Sequence, residues 1–392
     1  MSGPDQEKRT SGRKRKSTTV NIDGHIVKKE NNYVLKGHSY AFGVNLNDGK
    51  KGTQKAKALK RIQRAPRKQS EYVKTKLHHN AEVKTKIEKD GIARRQYMAN
   101  AYSILEPFLE MKVLQKLRKE KLQEMDDFKL HVQPEIVTTT LRDYQMIGLE
   151  WMVQMFVRGV NMILGDEMGL GKTLQTISLI SYLKEKNIAT NGPSLVICPL
   201  SVLYSWCSEI DKHAPSLRYL RLHSSQENER VKQIELFNKN VLDYDFVITT
   251  YDMAKTKQIE SLVRGTYFNI CVLDEGHVIK NMTSQISRAV RKIHSQSRLI
   301  LTGTPLQNNL VELYAILNYL YPEFFTKPDS FEDAFDITNN RIDPEMLLKA
   351  NKMLGLFMMR RLKIEVEKMM PKKLETKVNA LVSLFGRNAS RF

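Results

Sequence analysis

The run NMIL at 161–164, followed by GDEMGLGKT at 165–173, decides the fold of this chain of 392 residues. The apolar run predicts a strand, and the pattern from about Lys172 predicts a helix. A glycine-bearing loop between a strand and a helix turns backbone N–H groups toward phosphate oxygens. The spacing is similar to the phosphate loop G-x-x-x-x-G-K-[ST], although Asp166 stands where the first glycine is usual. The alternative is a glycine-containing turn before an ordinary helix.

We interpret this loop as a nucleoside-triphosphate site. The Lys172 ammonium would reach the β- and γ-phosphates, and the Thr173 hydroxyl would help to hold Mg²⁺. Gly169 and Gly171 allow backbone geometry and close approach that a side chain would obstruct. The predicted nucleotide-binding residues of the loop are Asp166, Glu167, Met168, Gly169, Leu170, Gly171, Lys172 and Thr173.

A second apolar run, CVLDEGH at 271–277, ends in two adjacent acids. Phosphoryl transfer needs a carboxylate near Mg²⁺ and a group that orients the attacking water. We assign Asp274 to Mg²⁺ and Glu275 to the water, and we expect His277 to couple this site to the neighbouring motif. An Asp-Glu pair alone is usually a solvated turn. Its position about 100 residues after the phosphate loop, at the end of a hydrophobic strand, favours the functional interpretation.

The chain after Thr140 alternates short apolar runs with helical patterns, which predicts an α/β fold with a parallel sheet wrapped by helices. Before it, residues 92–130 are predicted to be helical, with an interruption at Pro107. The predicted strands are 161–164, 194–198, 246–250, 269–273 and 298–301.

Positive charge is concentrated in the first third of the chain. Of the net charge of +20, residues 1–140 carry +15, from 31 Lys and Arg against 16 Asp and Glu. Residues 1–80 are predicted to be a disordered basic arm. Within it, 13–16 could serve in nuclear import and 51–68 could contact a phosphate backbone. The alternative is a solvated tail that keeps the protein soluble.

Several classes of protein are disfavoured by composition. The sequence contains no run of about 18 apolar residues, so it predicts no membrane span. The three cysteines, Cys198, Cys207 and Cys271, form no CxxC pair, and we expect buried free thiols without a disulfide or zinc site.

Together these segments resemble the first RecA-like lobe of superfamily-two helicases, specifically the Snf-two family of chromatin-remodelling ATPases. The loop at 166–173 is similar to that family's own phosphate loop, which explains the missing first glycine. LRDYQ at 141–145, followed by Gly148 and Trp151, resembles the family's first motif. The resemblance implies that Gln145 reads the edge of the adenine.

Two further segments resemble motifs with which this lobe contacts DNA. They are CPLSVL at 198–203, with Trp206, and TTY at 249–251. The DNA contacts that the resemblance implies are Pro199, Ser201 and Thr250.

The remaining motifs concern the acids and the coupling to lobe movement. DEGH at 274–277, followed by IKN at 279–281, is similar to the DEAH-type box, with Gly276 in place of the commoner alanine. LTGTPLQNN at 301–309 resembles the motif that couples ATP state to lobe movement. The proposed switching residues there are Thr302 and Thr304, whose alternative role is to cap the helix that begins near Leu310.

The resemblance covers about residues 137–375 and implies an ATP-dependent DNA translocase that uses ATP and Mg²⁺. It implies a nuclear location, duplex DNA and nucleosomes as partners, and remodelling-complex subunits as further partners. Different places resemble the imitation-switch group, the "amplified in liver cancer" remodeller and the lymphoid-specific helicase, so the subfamily stays open.

We divide the chain into a basic arm (1–80), a helical extension (81–136), the RecA-like ATP-binding lobe (137–325), a helical segment leading toward a second lobe (326–375) and a tail (376–392). FMMRRLK at 357–363 resembles the exit from lobe one. Only 21 residues follow Pro371, whereas a second lobe needs well over 100. We therefore expect no second lobe here, as in a fragment, a truncated gene model or an altered reading frame.

The missing lobe has a consequence for activity. In the family it supplies arginine fingers, and such a finger contributes roughly 10³–10⁵ in rate in related NTPases. We expect this chain to bind Mg·ATP but to hydrolyse it slowly alone. The alternative is a non-catalytic module that binds DNA or a partner. An unrelated P-loop kinase or GTPase is disfavoured by the motifs at 249–251 and 301–309.

Overall fold

The structure, a computed structural model, describes residues 20–22, 25–27, 66–120, 122, 128–303, 310–329, 331 and 344–366. The chain forms two units, Met1–Pro66 and Arg67–Phe392. In the first, strand β1 (Val20–Ile22) pairs antiparallel with β2 (His25–Val27). These six residues lie within the segment 1–80, which the sequence predicts to be a basic, largely disordered arm. The basic cluster at 13–16 and most of the one at 51–68 lie outside the described residues.

The second unit is built on a seven-stranded sheet in the order β5-β6-β4-β7-β8-β3-β9. All neighbouring strands in it are parallel. Strands covered by helices on both faces read as continuous apolar runs, and β3, β4 and β6 are buried at every position. The α/β fold is confirmed. The strands are β3 (Met162–Leu164), β4 (Ser194–Cys198), β5 (Tyr219–Leu222), β6 (Phe246–Thr250), β7 (Tyr267–Asp274), β8 (His294–Leu301) and β9 (Met358–Met359).

Helices connect and cover the strands, with short 3₁₀ turns at Glu106–Phe108, Val241–Asp243 and Gly276–Ile279. In the described part of the chain the helices are α1 (Pro66–Asn100), α2 (Tyr102–Leu105), α3 (Met111–Leu117), α4 (Asp143–Val157), α5 (Lys172–Glu185), α6 (Leu200–His213), α7 (Glu227–Asn240), α8 (Tyr251–Ala254), α9 (Lys257–Arg264), α10 (Gln285–Arg291), α11 (Leu310–Leu320), α12 (Pro344–Gly355) and α13 (Lys363–Val366).

Helix α1 lies along the amino ends of the strands. His79 Nε2 bonds the carbonyl of the first residue of β7 at 3.0 Å. Arg94 Nε donates to Gly159 O at 2.7 Å, just before β3, and the Tyr97 hydroxyl donates to Leu356 O at 2.7 Å, just before β9. Residues 66–80, which the sequence predicts as part of the disordered arm, are helical. The predicted interruption at Pro107 is confirmed, because a 3₁₀ turn separates α2 from α3.

Lys76 on α1 leads to a pH-dependent prediction. It is half-buried, with Nζ 5.2 Å from the centre of the Phe237 ring, and burial lowers its pKa to about 8 from 10.5. The folded chain therefore holds this proton less tightly than the unfolded chain. The charged lysine costs stability at neutral pH, and this cost disappears as pH rises from about 8 to about 10.5.

We expect Lys76→Met to raise Tm near pH 7 and to lose that advantage near pH 10, where the wild-type lysine is largely neutral. Thermal denaturation at the two pH values checks this result. Lys74→Met, at an exposed position on the same helix, is the matched control and should change Tm little. A Tm of Lys76→Met below that of the wild type at pH 7 would contradict the prediction.

Cys198, Cys207 and Cys271 are free and buried, as predicted. Among the helices that the structure describes, none has the length and apolar character needed to cross a membrane.

Candidate nucleotide-binding site

The phosphate loop and the two acids lie at the same edge of the sheet. The loop follows β3, Asp274 ends β7, and β8 lies between these strands. Leu164 and Asp274 both pair in register with Leu301 of β8. The carboxyl ends of these parallel strands therefore meet, which is where ligands bind in open α/β sheets.

Two glycines give the loop its shape. Gly169 has φ +89° and Gly171 has φ +73°, conformations that other residues rarely adopt. A Cβ on Gly171 would lie 2.6 Å from Nε2 of Gln145. The loop thus packs closely against Gln145 of the first motif.

Lys172 begins α5 and points back over the loop. Its Nζ donates to the carbonyl of Asp166 at 2.8 Å. Burial lowers the pKa of this ammonium, while the negative charges of Glu275, Asp166 and Asp274 oppose the shift. The lysine and both acids therefore share one electrostatic environment. Thr173, the predicted Mg²⁺ ligand, is half-buried in the same helical turn.

Asp274 is held by aromatic donors that sequence reasoning did not assign to it. Its side chain is buried at 9% exposure, and Oδ2 accepts from Trp206 Nε1 at 2.8 Å while Oδ1 accepts from Glu275 N at 3.0 Å. The Tyr251 hydroxyl donates to its backbone carbonyl at 2.8 Å. Burial raises the pKa of Asp274, and the Trp206 hydrogen bond opposes that shift. Trp206 and Tyr251 belong to the two segments that resemble DNA-contact motifs, yet both rings are buried.

Glu275 adopts a left-handed conformation with φ +52°, which is uncommon outside glycine and clusters at functional sites. Its Oε2 lies 3.3 Å from Nδ1 of His277. Both side chains are partly exposed, so the carboxylate remains accessible. This arrangement suits a group that orients water next to a coupling histidine.

Gly276 is closely packed against β8. A Cβ there would lie 2.3 Å from Cγ2 of Ile300, a fully buried residue. Alanine, the commoner residue in the family that the motif resembles, does not fit here unless β8 or the turn shifts.

We expect Gly276→Ala to lower the free energy of unfolding by about 1–3 kcal/mol, the usual cost of overpacking. Ile300→Ala alone should cost about 2–5 kcal/mol through the cavity it leaves. The double variant should lose clearly less than the sum, because the new methyl group fills part of that cavity. Urea denaturation of the three variants measures this coupling, and additive losses would contradict it.

The side chains of Asp166 and Glu167 both accept hydrogen bonds from the segment that follows β9. Asp166 is fully buried and Oδ1 accepts from Arg361 Nε at 3.0 Å. Glu167 Oε2 accepts from the backbone N–H of Lys363 at 2.8 Å. Both side chains thus bind the segment after β9. The sequence predicts this segment as part of a helical stretch and indicates no role for Arg361. Met168 stays 67% exposed at the tip of the loop, and Leu170 is buried.

Gln145 is buried beside the loop. Its Oε1 accepts from Arg142 N at 3.0 Å and its Nε2 donates to Leu170 O at 3.4 Å. The amide is therefore fixed between the start of α4 and the loop.

The predicted DNA contacts divide into two groups. Pro199 is the N-cap of α6 and Ser201 is exposed in its first turn, next to exposed Leu200 and Tyr204. Thr250 is 2% exposed, and its hydroxyl accepts from the third following N–H as the cap of α8. Its side chain is buried, whereas Ser201 is exposed.

The switching residues are only partly described. Thr302 is 1% exposed, and its N–H donates to Leu164 O at 3.1 Å, which ties the end of β8 to the end of β3. Thr304 lies outside the described residues. Gly303 lies close to Lys172, since a Cβ on it would be 3.6 Å from Nζ.

The predicted Mg²⁺ ligands, Asp274 and Thr173, would supply oxygen donors. Within the described ranges, no group of three or more His, Cys, Asp or Glu side chains could hold a metal ion. Mg²⁺ is usually bound through one or two carboxylates plus substrate phosphates. Asp274 and Thr173 fit that pattern.

Comparison with known proteins places these motifs in a family. The sequence model of the SNF2-related domain matches residues 144–385. The ISWI chromatin-remodeling complex ATPase CHR17 of Arabidopsis thaliana is 42% identical over 63% of this chain and 23% of its own length. Transcription regulatory protein SNF2 of Saccharomyces cerevisiae is 43% identical over 64% of this chain and 15% of its own length.

A solved structure of the same family is also similar to this chain. The Sulfolobus solfataricus SWI2/SNF2 ATPase core in complex with dsDNA superposes with a TM-score of 0.55 and 35% identity, over 64% of this chain and 50% of that one. The chain spans less than a quarter of the length of the two curated relatives above. Because the model of the SNF2-related domain matches more than half of its residues, this chain belongs to the SNF2-related family.

Proposed function

We propose that residues 137–366 form the ATP-binding lobe of a DNA-dependent ATPase of the chromatin-remodelling type. The observation that carries this proposal is the meeting of Lys172, Asp274 and Glu275 at the carboxyl edge of one parallel sheet. The proposed lobe extends past residue 325, because β9 adds the outermost strand and Arg361 bonds the phosphate loop.

In the proposed nucleotide complex, N–H groups of the loop and of the first turn of α5 donate to phosphate oxygens. Lys172 exchanges its bond to the Asp166 carbonyl for the phosphates. Asp274 and Thr173 hold Mg²⁺, which neutralises phosphate charge when bound. Trp206 keeps the Asp274 carboxylate oriented, and Glu275 orients the attacking water.

We assign the residues for adenine binding and for coupling from their contacts with the phosphate loop and the two acids. We assign the adenine edge to Gln145, whose amide is already fixed against the loop. His277 contacts Glu275, and Thr302 joins the ends of β3 and β8. We propose that these two residues, together with Thr304, transmit the state of the nucleotide.

For DNA, we propose contact at Pro199 and Ser201 and through the basic residues before 81. Phosphate contacts of this kind carry little sequence information. The solved relative in complex with dsDNA supports duplex DNA as a partner, and the relative named as the ATPase of a chromatin-remodeling complex supports remodelling-complex subunits. We propose nucleosomes as a further partner. The corresponding location is the nucleus, as for the relative named nuclear protein STH1/NPS1 of Saccharomyces cerevisiae.

Turnover is proposed to need more than this lobe. The chain aligns with half of the solved ATPase core, and an arginine finger from elsewhere contributes roughly 10³–10⁵ in related NTPases. We therefore propose that residues 1–392 bind Mg·ATP and hydrolyse it slowly. A non-catalytic DNA- or partner-binding module is the second candidate, favoured by the basic balance of the first 140 residues.

The test measures binding of a fluorescent ATP analogue with and without Mg²⁺, then phosphate release with and without duplex DNA. We expect Mg²⁺-dependent binding, slow release, and DNA affinity that falls steeply with salt. DNA binding without nucleotide binding would favour the second candidate. Turnover near that of a complete ATPase core would contradict the proposal of slow hydrolysis.

A further inference from the structure

The segment after α12 continues the β-ladder of β3 along the phosphate loop. Beyond the end of β3, Gly165 N donates to Met359 O at 2.7 Å and Glu167 N donates to Arg361 O at 3.0 Å. Lys363 N then donates to the Glu167 carboxylate at 2.8 Å. The first three residues of the phosphate loop, 165–167, are therefore hydrogen-bonded to the segment 358–363.

Arg361 adds a buried ion pair to this ladder. Its backbone N–H donates to Asp166 Oδ1 at 3.1 Å, its Nε donates to the same oxygen at 3.0 Å, and its Nη2 donates to Oδ2. The remaining donors reach the Tyr144 carbonyl and Gln175 Oε1, the latter at 2.8 Å. Asp166 is fully buried and the Arg361 side chain is 13% exposed. Removal of one partner from a buried ion pair is strongly destabilising, because it leaves the other charge uncompensated.

Helix α4 leaves room for this guanidinium. A Cβ on Gly148 would lie 2.7 Å from Arg361 Nη2 and 2.1 Å from Gln175 Oε1. The glycine of the first motif thus admits the contact between Arg361 and Gln175. Sequence alone indicates nothing about this use of Gly148.

A single residue, Asp166, links Arg361 to Lys172, the residue predicted to bind the phosphates. The carbonyl of Asp166 accepts the bond from Lys172 Nζ, while the side chain of Asp166 is held by Arg361. The orientation of residue 166 therefore fixes both the loop and the resting position of the Lys172 ammonium.

We infer that Arg361 is a positioning residue for the phosphate loop, which acts through Asp166 and links nucleotide binding to the segment 358–363. The inference rests on the proposed nucleotide site and adds a residue to it. Because coupling between two sites is reciprocal, a nucleotide that steadies the loop also steadies the segment paired with it.

The first experiment compares Arg361→Gln with Arg94→Gln. Arg94 is a matched control, since it is buried and bonds Glu323 at 2.7 Å and Gly159 O at the amino edge of the sheet. Both variants should lose thermal stability. At a temperature where circular dichroism shows each one folded, Arg361→Gln should bind the fluorescent ATP analogue about 10- to 100-fold more weakly, the range seen when supporting partners of a site are removed.

Arg94→Gln should keep the wild-type affinity within about twofold, because surroundings far from a site leave it unchanged. Arg361→Lys keeps the charge but loses the bidentate fork, so its affinity should lie between those of the wild type and Arg361→Gln. If Arg361→Gln does not fold, Arg361→Lys still tests the inference. Wild-type affinity in Arg361→Lys and Arg361→Gln, or equal weakening in Arg94→Gln, would overturn the inference.

The second experiment measures hydrogen exchange of the peptide that covers 357–366, with and without Mg²⁺ and the ATP analogue. We expect the analogue to slow exchange there in the wild type and to do so less in Arg361→Lys at saturating analogue. If the wild type binds no analogue, the proposed function fails. If it binds the analogue but exchange at 357–366 is unchanged, the inference alone fails.

Discussion

The variant Lys172→Ala is expected to bind Mg·ATP at least about 100-fold more weakly than the wild type. Hydrogen bonds to charged groups contribute about 1.5–3 kcal/mol each, and Lys172 Nζ can make more than one of them to the phosphates. The neighbouring carboxylates Asp274 and Glu275 increase the effect, because without the ammonium they repel the triphosphate. Titration with a fluorescent ATP analogue measures the loss.

The same variant is expected to be at least as heat-stable as the wild type when no nucleotide is present. Burial lowers the pKa of Lys172, so the charged ammonium is disfavoured in the folded chain at neutral pH. Its removal relieves that cost. This separates a binding defect from a folding defect, since only the stabilisation by nucleotide should disappear.

Lys184→Ala is the control for this prediction. Lys184 lies on the same helix, is about half exposed, and pairs with Asp245 far from the loop. It should bind the analogue like the wild type. Affinity of Lys172→Ala within a few-fold of the wild type would remove the lysine from the site and with it the main support for the nucleotide proposal.

The fold was predictable where a signal is local. Strands 194–198 and 246–250 match the structure at both ends, because β-branched and apolar residues run without interruption between turns. Strand β5 was missed, since Tyr219–Leu222 alternates buried and half-buried positions and is short. Strand β9 has two residues and exists through backbone pairing with β3, which leaves no side-chain pattern.

The residues of the candidate site likewise divide into those with a local sequence signal and those that only long-range contacts place there. The sequence predicted Lys172, Asp274 and Glu275, because loop spacing and a strand end are visible locally. It did not predict Arg361, whose bond to Asp166 joins residues 195 positions apart. For Trp206 it marked the motif but not the direction of the ring, which depends on how α6 packs against β7.

The variant Glu275→Gln is expected to keep nucleotide binding and lose hydrolysis. The amide keeps the size of the side chain but is neutral and does not take a proton from water. Loss of a group that orients and activates the nucleophile typically costs about 10²–10⁴ in rate. Glu275 is partly exposed beside the loop and contacts His277, so binding of Mg·ATP through Lys172, Thr173 and Asp274 should remain.

Single-turnover hydrolysis with excess protein detects a slow rate in this chain and gives the size of that loss. Glu235→Gln, an exposed glutamate paired with Lys239 on α7, is the control and should hydrolyse ATP like the wild type. The variant Asp274→Asn should behave differently from Glu275→Gln, because its binding of the nucleotide should depend less on Mg²⁺. Because Asp274 is buried and bonded to Trp206 while Glu275 is accessible, the two neighbouring acids should separate into a binding defect and a rate defect. A Glu275→Gln rate within a few-fold of the wild type would mean that another group orients the water.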